Sequence, residues 1–409
     1  MKVLWITNTL FPDVCKELGI SSPVVGGWMY AGAKSMLEEN KKIKLSVATL
    51  YNGSDLKILN RGNITYFLLP NKELEKYWRL VKENFLPDII HIHGTEYPHG
   101  LAYVKECGND GVVVSIQGLV SIYERYYFGG IAEKILRKMI TLRDRIRFDS
   151  IFTQQKNMRL RGLKEKLLIK SVNHIIGRTQ WDRTHAWALN PKISYHFCNE
   201  TLRESFYGQN WALTTCQKHS IFLSQAHYPI KGLQQMIIAL PLILNHYPDT
   251  KVYVAGNNFI TNKTWRLNGF AKYITTLIKE NDLTDHIIFT GLLSEAEMCK
   301  RYLKSNVFVC PSSIENSPNS VGEAQLLGVP CVASYVGGTP DMITHGESGL
   351  LYRFEEVEML AKSVCDIFSD DEFTSKLSVN GKKAAVLRHN GKHNAQRLNA
   401  IYQTVCKKL

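Results

Sequence analysis

Short apolar runs alternate with longer amphipathic stretches along most of the chain. Apolar runs bounded by polar, glycine or proline residues are typical of buried strands in a parallel sheet, and the periodic stretches between them are typical of helices. The alternation therefore predicts an α/β fold with two doubly wound parallel sheets. The predicted strands are Lys2–Thr7, Lys44–Ala48, Ile64–Leu68, Ile89–His93, Val112–Ile116, His174–Gly177, Ser220–Ser224, Lys251–Ala255, Ile287–Thr290, Val307–Cys310 and Cys331–Ala333.

The alternation lapses in a mixed polar and aromatic stretch near residues 196–218. A chain of 409 residues exceeds what one core usually serves, so two domains are expected. Ligands of open parallel sheets bind beyond the carboxyl ends of the strands, so we expect the domains to face each other across a cleft. The predicted parts are an N-terminal Rossmann-like domain (1–200), a connector (201–218), a C-terminal Rossmann-like domain (219–388) and a C-terminal helix that packs back on the N-terminal domain (389–409).

Composition indicates an ordinary globular protein, with 44% hydrophobic and 21% charged residues. The nine cysteines form no C-x-x-C pair and no signal peptide precedes the first strand, so reduced thiols and a cytoplasmic location are expected. No apolar run has the length needed to cross a bilayer, so any membrane association would be peripheral.

The net charge of +13 is concentrated in one tract. Residues 134–170 contain twelve Lys or Arg and three acids, a net +9, which leaves +4 for the rest. Apolar residues recur there at helical spacing, and tyrosines precede them. Two interpretations stay open. The tract can be a helix packed on its own domain, or residues 123–170 can make a peripheral contact with an anionic membrane. Nucleic acid is not expected as a partner, because no binding module accompanies the charge. The apolar residues at helical spacing, which form the predicted stripe, are Phe128, Ile131, Ile135, Met139, Leu142 and Ile146, and the tyrosines before them are Tyr123, Tyr126 and Tyr127.

Two glutamates, Glu315 and Glu323, flank a predicted junction of strand, loop and helix. Pro311 and two serines end the apolar run Asn306–Cys310, which places Glu315 in an exposed loop at the carboxyl end of a strand. Glu323 lies about one turn inside the helix that follows. The free amides at the start of that helix form a ready anion site.

Local signals set the limits of this helix. Ser317 or Asn319 is expected to cap its first turn, and Gly328 is expected to end it before the next apolar strand.

The chain resembles the retaining glycosyltransferases of the GT-B fold, most closely glycosyltransferase family 4, also called glycosyl transferases group 1. The resemblance covers nearly the whole chain. Its most specific part is Glu315–Ser334 with the sequence ENSPNSVGEAQLLGVPCVAS. The supporting segments are GGTPD (337–341), GESGL (346–350), PIKG (229–232), DIIHIHG (88–94) and RTQWD (178–182).

This resemblance implies transfer of a sugar, of the hexosyltransferase type, from a nucleotide diphosphate donor to an acceptor hydroxyl with retention of configuration. His93, Lys231 and Glu315 are the expected catalytic residues: Lys231 meets the diphosphate, Glu315 the hydroxyls of the transferred sugar, and His93 lies near that sugar. Glu323 would hold the ribose. The C-terminal domain (219–388) would bind the nucleotide-sugar donor, and the N-terminal domain (1–200) would lie on the acceptor side. The leaving phosphate is expected to assist deprotonation of the acceptor, without a covalent nucleophile. The expected donor-binding residues are Gly26, Gly27, Gln225, Lys231, Asn319, Ser320, Val321 and Glu323.

The resemblance also implies a glycan or lipid-linked acceptor and a role in bacterial capsule, exopolysaccharide or lipopolysaccharide synthesis at the inner face of the membrane. No metal site and no cofactor are expected, since no Asp-x-Asp occurs. His91 is expected on the strand face opposite His93, in a structural role.

One departure from the family concerns the diphosphate. Many relatives have an arginine shortly before the lysine, whereas this chain has Ser224-Gln225-Ala226-His227. His227 would supply a second cation only if its pKa were raised, and Gln225 would donate neutral hydrogen bonds. Two alternatives therefore stay open: another GT-B enzyme such as a nucleotide-sugar epimerase or a sugar phosphorylase, and a non-catalytic membrane-binding protein with a degenerate cleft.

Overall fold

A computed structural model describes residues 1–21, 26–256, 258 and 266–406 of the protein. The described chain divides into two compact units. The first unit contains residues 1–121, 159–203 and 388–409, of which 407–409 lie outside the described residues. The second unit contains residues 122–158 and 204–387. Residues 122–158, which the sequence placed in the N-terminal domain, thus group with the second unit.

The first unit is built on a sheet of eight strands in the order β3-β4-β2-β1-β5-β6-β7-β8. All neighbours are parallel except β3 and β4, which pair antiparallel at one edge. The strands are β1 Lys2–Thr7, β2 Lys44–Tyr51, β3 Lys57–Arg61, β4 Ile64–Pro70, β5 Ile89–His93, β6 Val112–Ser115, β7 His174–Gly177 and β8 Ser194–Phe197.

The second unit is built on a parallel sheet of six strands in the order β11-β10-β9-β12-β13-β14. The strands are β9 Gln217–Leu223, β10 Lys251–Ala255, β11 Ile287–Gly291, β12 Ser305–Cys310, β13 Cys331–Ser334 and β14 Leu350–Tyr352. Together the two sheets confirm the predicted α/β architecture of two Rossmann-like parallel-sheet domains.

Helices connect the strands in both units, as parallel pairing requires. The helices up to the end of the basic tract are α1 Pro12–Glu17, α2 Gly27–Glu39, α3 Leu74–Phe85, α4 Pro98–Cys107, α5 Val120–Tyr123, α6 Glu133–Met139, α7 Leu142–Arg147 and α8 Ile151–Ser171. The later helices are α9 Gln180–Leu189, α10 Leu233–Leu244, α11 Gly269–Glu280, α12 Glu295–Leu303, α13 Asn319–Leu327, α14 Val357–Ser369, α15 Asp371–Arg388 and α16 Gly391–Cys406.

Each predicted strand is present. Strands β3, β8 and β14 are present in addition, and no apolar run of the sequence predicted them. β3 is an edge strand whose residues are mostly exposed on both faces, and β8 is largely half-buried, so neither shows a buried apolar run. β14 is buried but only three residues long.

The C-terminal helix α16 packs on α2 within the first unit. Tyr402 on α16 reaches the sheet, where its hydroxyl accepts a hydrogen bond from Trp5 Nε1 at 2.9 Å. Both side chains are buried in the core of this unit.

The basic tract forms three helices, α6, α7 and α8, rather than one continuous amphipathic helix. Helix α6 ends at Met139, and Thr141 starts α7 as its N-cap: the Thr141 side chain accepts a hydrogen bond from the amide of Asp144, and the Asp144 carboxylate accepts one from the amide of Thr141. The predicted stripe is therefore divided: Ile131 is buried, whereas Leu142 and Ile146 are exposed.

Candidate functional site

In the second unit, the loops that follow β9 and β12 are held together at Gly232. This glycine has a φ of 73°, and a Cβ at its position would lie 1.6 Å from the carbonyl oxygen of Pro311. The amide of Ser313 donates to the carbonyl of Ile230 at 2.8 Å. Only glycine allows this close approach, which places Lys231 beside the loop that carries Glu315.

Lys231 and Glu315, two of the predicted catalytic residues, form a buried ion pair. Lys231 Nζ lies 2.6 Å from Glu315 Oε1, and Ser312 Oγ donates to the same oxygen at 2.8 Å. The side chains are only 18% and 8% exposed. Burial alone would lower the pKa of Lys231, but the charge of Glu315 raises it above the usual value. Lys231 is therefore a fixed positive charge.

A second glycine contact fixes the backbone of Glu315. The amide of Gly338 donates to the Glu315 carbonyl at 3.0 Å. Gly337 has a φ of 52°, and a Cβ there would lie 1.8 Å from the same carbonyl oxygen. The glycine pair in the GGTPD segment thus has a local physical cause, because it lets the loop after β13 pack against Glu315.

Helix α13 begins at Asn319, where the sequence predicts it, but the predicted caps are wrong. Its N-cap is Pro318, which makes no side-chain cap bond. The amides of Asn319 and Ser320 have no acceptor within the helix, whereas the Val321 amide donates to the Pro318 carbonyl at 3.0 Å. Of the two amides predicted as backbone donors, that of Ser320 therefore has no acceptor within the helix, whereas that of Val321 has one.

Glu323 lies in the second turn of α13 and is buried. Gly328 ends the helix in the left-handed conformation, as predicted (φ 83°).

Tyr123 is a site residue that the sequence did not indicate. Burial and the charge of Glu315 raise the pKa of its phenol, whereas Lys231 acts in the opposite direction, so the ring lies within the field of the ion pair. Nearby, Ser313 Oγ donates to the carbonyl of Tyr126 at 3.1 Å. The tyrosines were visible in the sequence only as the start of the basic tract, and no spacing connects them with a loop almost two hundred residues later.

Gln225 and His227 are exposed after β9. Partial burial of the ring and the positive charge of Lys231 lower the pKa of His227. The histidine is therefore neutral near pH 7 and does not replace the arginine that many relatives have.

His93, the remaining predicted catalytic residue, lies in the first unit at the carboxyl end of β5 and is 4% exposed. Its ring centroid lies 4.3 Å from that of Trp5 and 3.8 Å from that of His91. Burial lowers the pKa of His93 to about 3, so the ring is neutral. Neither ring nitrogen has a hydrogen-bond partner in the described chain.

The expectation that His91 and His93 occupy opposite strand faces is wrong, because residues two apart share a face. Their stacked rings show this directly. His91 is nevertheless fully bonded: Nδ1 lies 2.6 Å from the hydroxyl of Tyr402 and Nε2 lies 2.5 Å from that of Ser115. All of these contacts are satisfied together when Tyr402, whose oxygen accepts from Trp5, donates to Nδ1 and Nε2 donates to Ser115.

Gly26 and Gly27 stand at the start of α2. Gly26 is its N-cap residue in the left-handed conformation (φ 87°), and Gly27 is its first residue. Part of the preceding loop, residues 22–25, lies outside the described residues.

The sequence also missed a buried polar cluster in the first unit. Arg178 and Glu200 form an ion pair, and a guanidinium nitrogen of Arg178 also donates to the carbonyls of Ile116 (3.2 Å) and Gln117 (3.3 Å). The pair borders a cavity of about 60 Å³ that His93 also lines. Residue 200 fell at the edge of the predicted connector, where polar composition indicated a linker rather than a site.

No group of three or more His, Cys, Asp or Glu able to hold a metal occurs among residues 1–21, 26–256, 258 and 266–406. Across the same ranges, every helix is too short or too polar to cross a membrane.

The fold is that of the GT-B glycosyltransferases. The whole chain superposes on sucrose-phosphate synthase from Thermosynechococcus elongatus with a TM-score of 0.71 and 15% identity, covering 100% of both chains. Anabaena HepE, solved in complex with UDP-glucose, gives a TM-score of 0.68 at 14% identity and covers 99% of this chain and 100% of its own.

The family match concerns the second unit. Residues 211–384 match the family described as Glycosyl transferases group 1. The putative glycosyltransferase YtcC of Bacillus subtilis is 29% identical over 179 residues, which are 43% of this chain and 43% of that protein. The chain thus aligns with less than half the length of this curated relative.

Proposed function

We propose that this protein is a retaining, metal-independent glycosyltransferase that moves a sugar from a nucleotide diphosphate donor to an acceptor hydroxyl. The observation that carries the proposal is the buried Lys231–Glu315 pair beside the N-terminus of α13, inside a glycosyl transferases group 1 domain. HepE, which shares the fold, was solved with UDP-glucose bound. The second unit accordingly binds the donor.

The electrostatics of this unit suit a departing diphosphate. Lys231 has three ammonium protons and gives one to Glu315, so two are available for phosphate oxygens. The amides of Asn319 and Ser320, which have no acceptor within α13, add neutral donors, with the helix dipole behind them. As the bond between the anomeric carbon and the phosphate oxygen breaks, these groups stabilise the charge that develops on the leaving group.

The pairing of Glu315 argues against a covalent intermediate. Lys231 and Ser312 both donate to Oε1, which draws negative charge away from the whole carboxylate and makes it a weaker nucleophile. We propose that Glu315 instead binds hydroxyls of the transferred sugar, that His93 lies near that sugar, and that Glu323 binds the ribose. The acceptor oxygen then bonds to the anomeric carbon, and its proton passes to the leaving phosphate oxygen.

A screen of UDP-, GDP- and ADP-sugars, with and without candidate acceptors, tests the proposal. We expect one donor to release nucleotide faster when acceptor is present, and the product to keep the donor's anomeric configuration in its proton NMR coupling. Epimerised nucleotide sugar without acceptor would instead establish the epimerase alternative. If no nucleoside diphosphate stabilises the protein to heat, the degenerate, non-catalytic alternative is correct.

We further propose that the protein works at an anionic membrane surface in the synthesis of bacterial surface polysaccharide. Leu142, Ile146 and Phe148 are 73%, 68% and 81% exposed, and they alternate with the exposed arginines Arg145 and Arg147. Phe148 ends α7 with a φ of 53°, a conformation that costs an aromatic residue about 1 kcal/mol. The Phe148 side chain is neither buried in the core nor favoured by its backbone conformation, so the fold gives no reason for a phenylalanine at this position. Insertion of the ring into a lipid interface would account for it.

Sedimentation with vesicles tests this surface. Binding to phosphatidylglycerol vesicles should fall as salt rises, and Phe148→Ser should weaken it. Leu387→Ser, which changes another exposed apolar side chain of the second unit, is the control and should leave binding unchanged. Absence of binding at low salt, or equal binding by both variants, would refute the membrane contact.

A further inference from the structure

The second unit has a basic groove between α7 and α11, with a volume of about 1120 Å³. Among the described residues, five Lys or Arg side chains line it and no Asp or Glu does. A groove walled by one sign of charge concentrates ions of the opposite sign, so its occupant is anionic. The five cations are Arg143, Arg147, Arg266, Lys272 and Lys279.

Neighbouring acids neutralise only part of this charge. Arg143 lies 2.9 Å from the carboxylate of Asp149 and 3.3 Å from that of Asp144. With both acids counted against the five cations, the groove keeps a net charge of +3. Of the remaining cations, Arg147, Lys272 and Lys279 are exposed.

One face of α11 forms a wall of the groove. Lys272, Thr275, Thr276 and Lys279 recur at the spacing i, i+3, i+4 and i+7, so they share a face of the helix. The other face of α11 packs on the core, where residues such as Ile274 are buried. The two lysines therefore point into the groove because the fold fixes the rotation of the helix.

The two walls of the groove are joined by the buried carboxylate of Asp144. Its Oδ2 accepts the amide of Gly269, the first residue of α11, at 2.8 Å and the amide of Thr141 at 3.0 Å. A Cβ at Gly269 would lie only 3.0 Å from that oxygen and 3.1 Å from the carbonyl oxygen of Met139. The groove is therefore preformed, and no free energy is spent on bringing its cations together when a ligand binds.

Alkyl side chains also line the groove and narrow the choice of anion. Leu142 and Ile146 are 73% and 68% exposed, and Ile140 and Leu267 lie beside them in the lining. A free phosphate would leave these alkyl groups in water. A nucleic acid would find no aromatic side chain in the described lining on which a base could stack. A phosphate that carries alkyl chains matches both the cations and the alkyl groups.

We infer that this groove binds the phosphate group of an anionic membrane lipid, with Arg147, Lys272 and Lys279 as its cations and the alkyl chains of the lipid beside Leu142 and Ile146. The inference rests on the proposed function and deepens it, because it names the lipid group that the proposed membrane contact recognises. Insertion of Phe148 needs only an apolar interface, whereas the groove adds contacts to a phosphate.

Removing two charges from α11 tests the groove. Lys272→Gln combined with Lys279→Gln keeps the helix, because glutamine and lysine have similar helix propensities. The matched control combines Lys376→Gln with Lys383→Gln, at exposed lysines of α15 in the same unit that are also seven residues apart. Both double variants have the same net charge, so a difference in their lipid binding isolates the groove from general attraction to an anionic surface.

Sedimentation with vesicles of phosphatidylglycerol in phosphatidylcholine gives the binding constants. We expect the groove variant to bind at least about tenfold more weakly than the wild type, as loss of two lysines at an anionic lipid surface implies, and the control to bind nearly as tightly as the wild type. Short-chain dihexanoyl phosphatidylglycerol, below its micelle concentration, should displace the wild type from vesicles. Glycerol phosphate at the same concentration should not. The midpoint of thermal unfolding should be the same in all three proteins.

Equal vesicle binding by the groove variant and the control would overturn the inference while leaving the membrane contact intact. Displacement by glycerol phosphate as strong as that by the short-chain lipid would overturn it in favour of a free-phosphate site. Tighter binding of single-stranded DNA than of vesicles would overturn it in favour of nucleic acid. No binding of the wild type to vesicles at low salt would reject the membrane contact itself, and the groove's lipid with it. Should the groove variant misfold, Arg147→Gln against Lys376→Gln gives the same comparison with single changes.

Discussion

Replacing Lys231 with methionine separates the role of the Lys231–Glu315 pair in stability from its role in catalysis. Methionine keeps most of the volume but removes the charge, which leaves Glu315 unpaired at 8% exposure. Breaking a buried pair in this way costs about 3 kcal/mol or slightly more. In a unit of this size, that loss lowers the midpoint of thermal unfolding by roughly 6–12 °C.

The same change removes a charge-assisted contact to the diphosphate. Such a contact contributes about 1.5–3 kcal/mol, so kcat/KM should fall by roughly 10- to 150-fold. Converting Glu315 to leucine in the same chain removes the unpaired carboxylate. The double variant should recover most of the lost stability but none of the lost transfer.

Calorimetry and a nucleotide-release assay on the two variants provide the measurement. Lys362→Met removes the lysine of an exposed i,i+4 pair with Asp366 in the same unit and is the matched control; it should change neither quantity. The reasoning fails if Lys231→Met keeps wild-type transfer. It also fails if the double variant regains activity together with stability, because the pair would then act only as a structural link.

Three further predictions concern single residues. Gly337→Ala should destabilise the second unit by more than about 2 kcal/mol, because the cost of the positive φ adds to that of the close contact with the Glu315 carbonyl. Gly346 has a φ of 76° but open space around it, so Gly346→Ala should cost only about 1 kcal/mol. Equal losses of stability in calorimetry would be inconsistent with this packing. Glu323→Gln should weaken nucleoside diphosphate binding by about tenfold through a lost charge-assisted bond, and unchanged affinity by titration calorimetry would exclude the ribose role. His93 has a folded-state pKa of about 3 against about 6.5 unfolded, so the unfolded chain binds more protons between these values and the stabilisation falls as pH drops below 6.5. From pH 7 to 5 the wild type should lose about 2 kcal/mol more than His93→Gln, and identical losses in denaturant titrations would contradict the buried neutral imidazole.

The sequence predicted the parts of the fold and site that depend on local patterns. Buried strands such as β5 and β12 appear as apolar runs, and the Lys231 and Glu315 loops follow strands that the pattern locates. The ion pair between these loops needs Gly232 against Pro311, a contact between segments about eighty residues apart. No local pattern encodes such a contact.

Other features could not be predicted because tertiary packing overrides the local signal. The stripe from Phe128 to Ile146 has helical spacing, yet Thr141 interrupts it and the segment joins the second unit. Arg178 and Glu200 come from separate loops of the first unit, and their partnerless atoms appear only once the chain is folded. Polar residues near a predicted linker give no sign of a buried cavity.

Titration calorimetry of UDP, GDP and ADP, in EDTA, on the wild type and on Lys231→Met tests the central claim most directly. The account predicts that at least one nucleoside diphosphate binds one site per chain without metal, and that Lys231→Met weakens this binding by at least about tenfold. Absence of binding by all three, or equal affinity for both proteins, would contradict a donor site in the second unit.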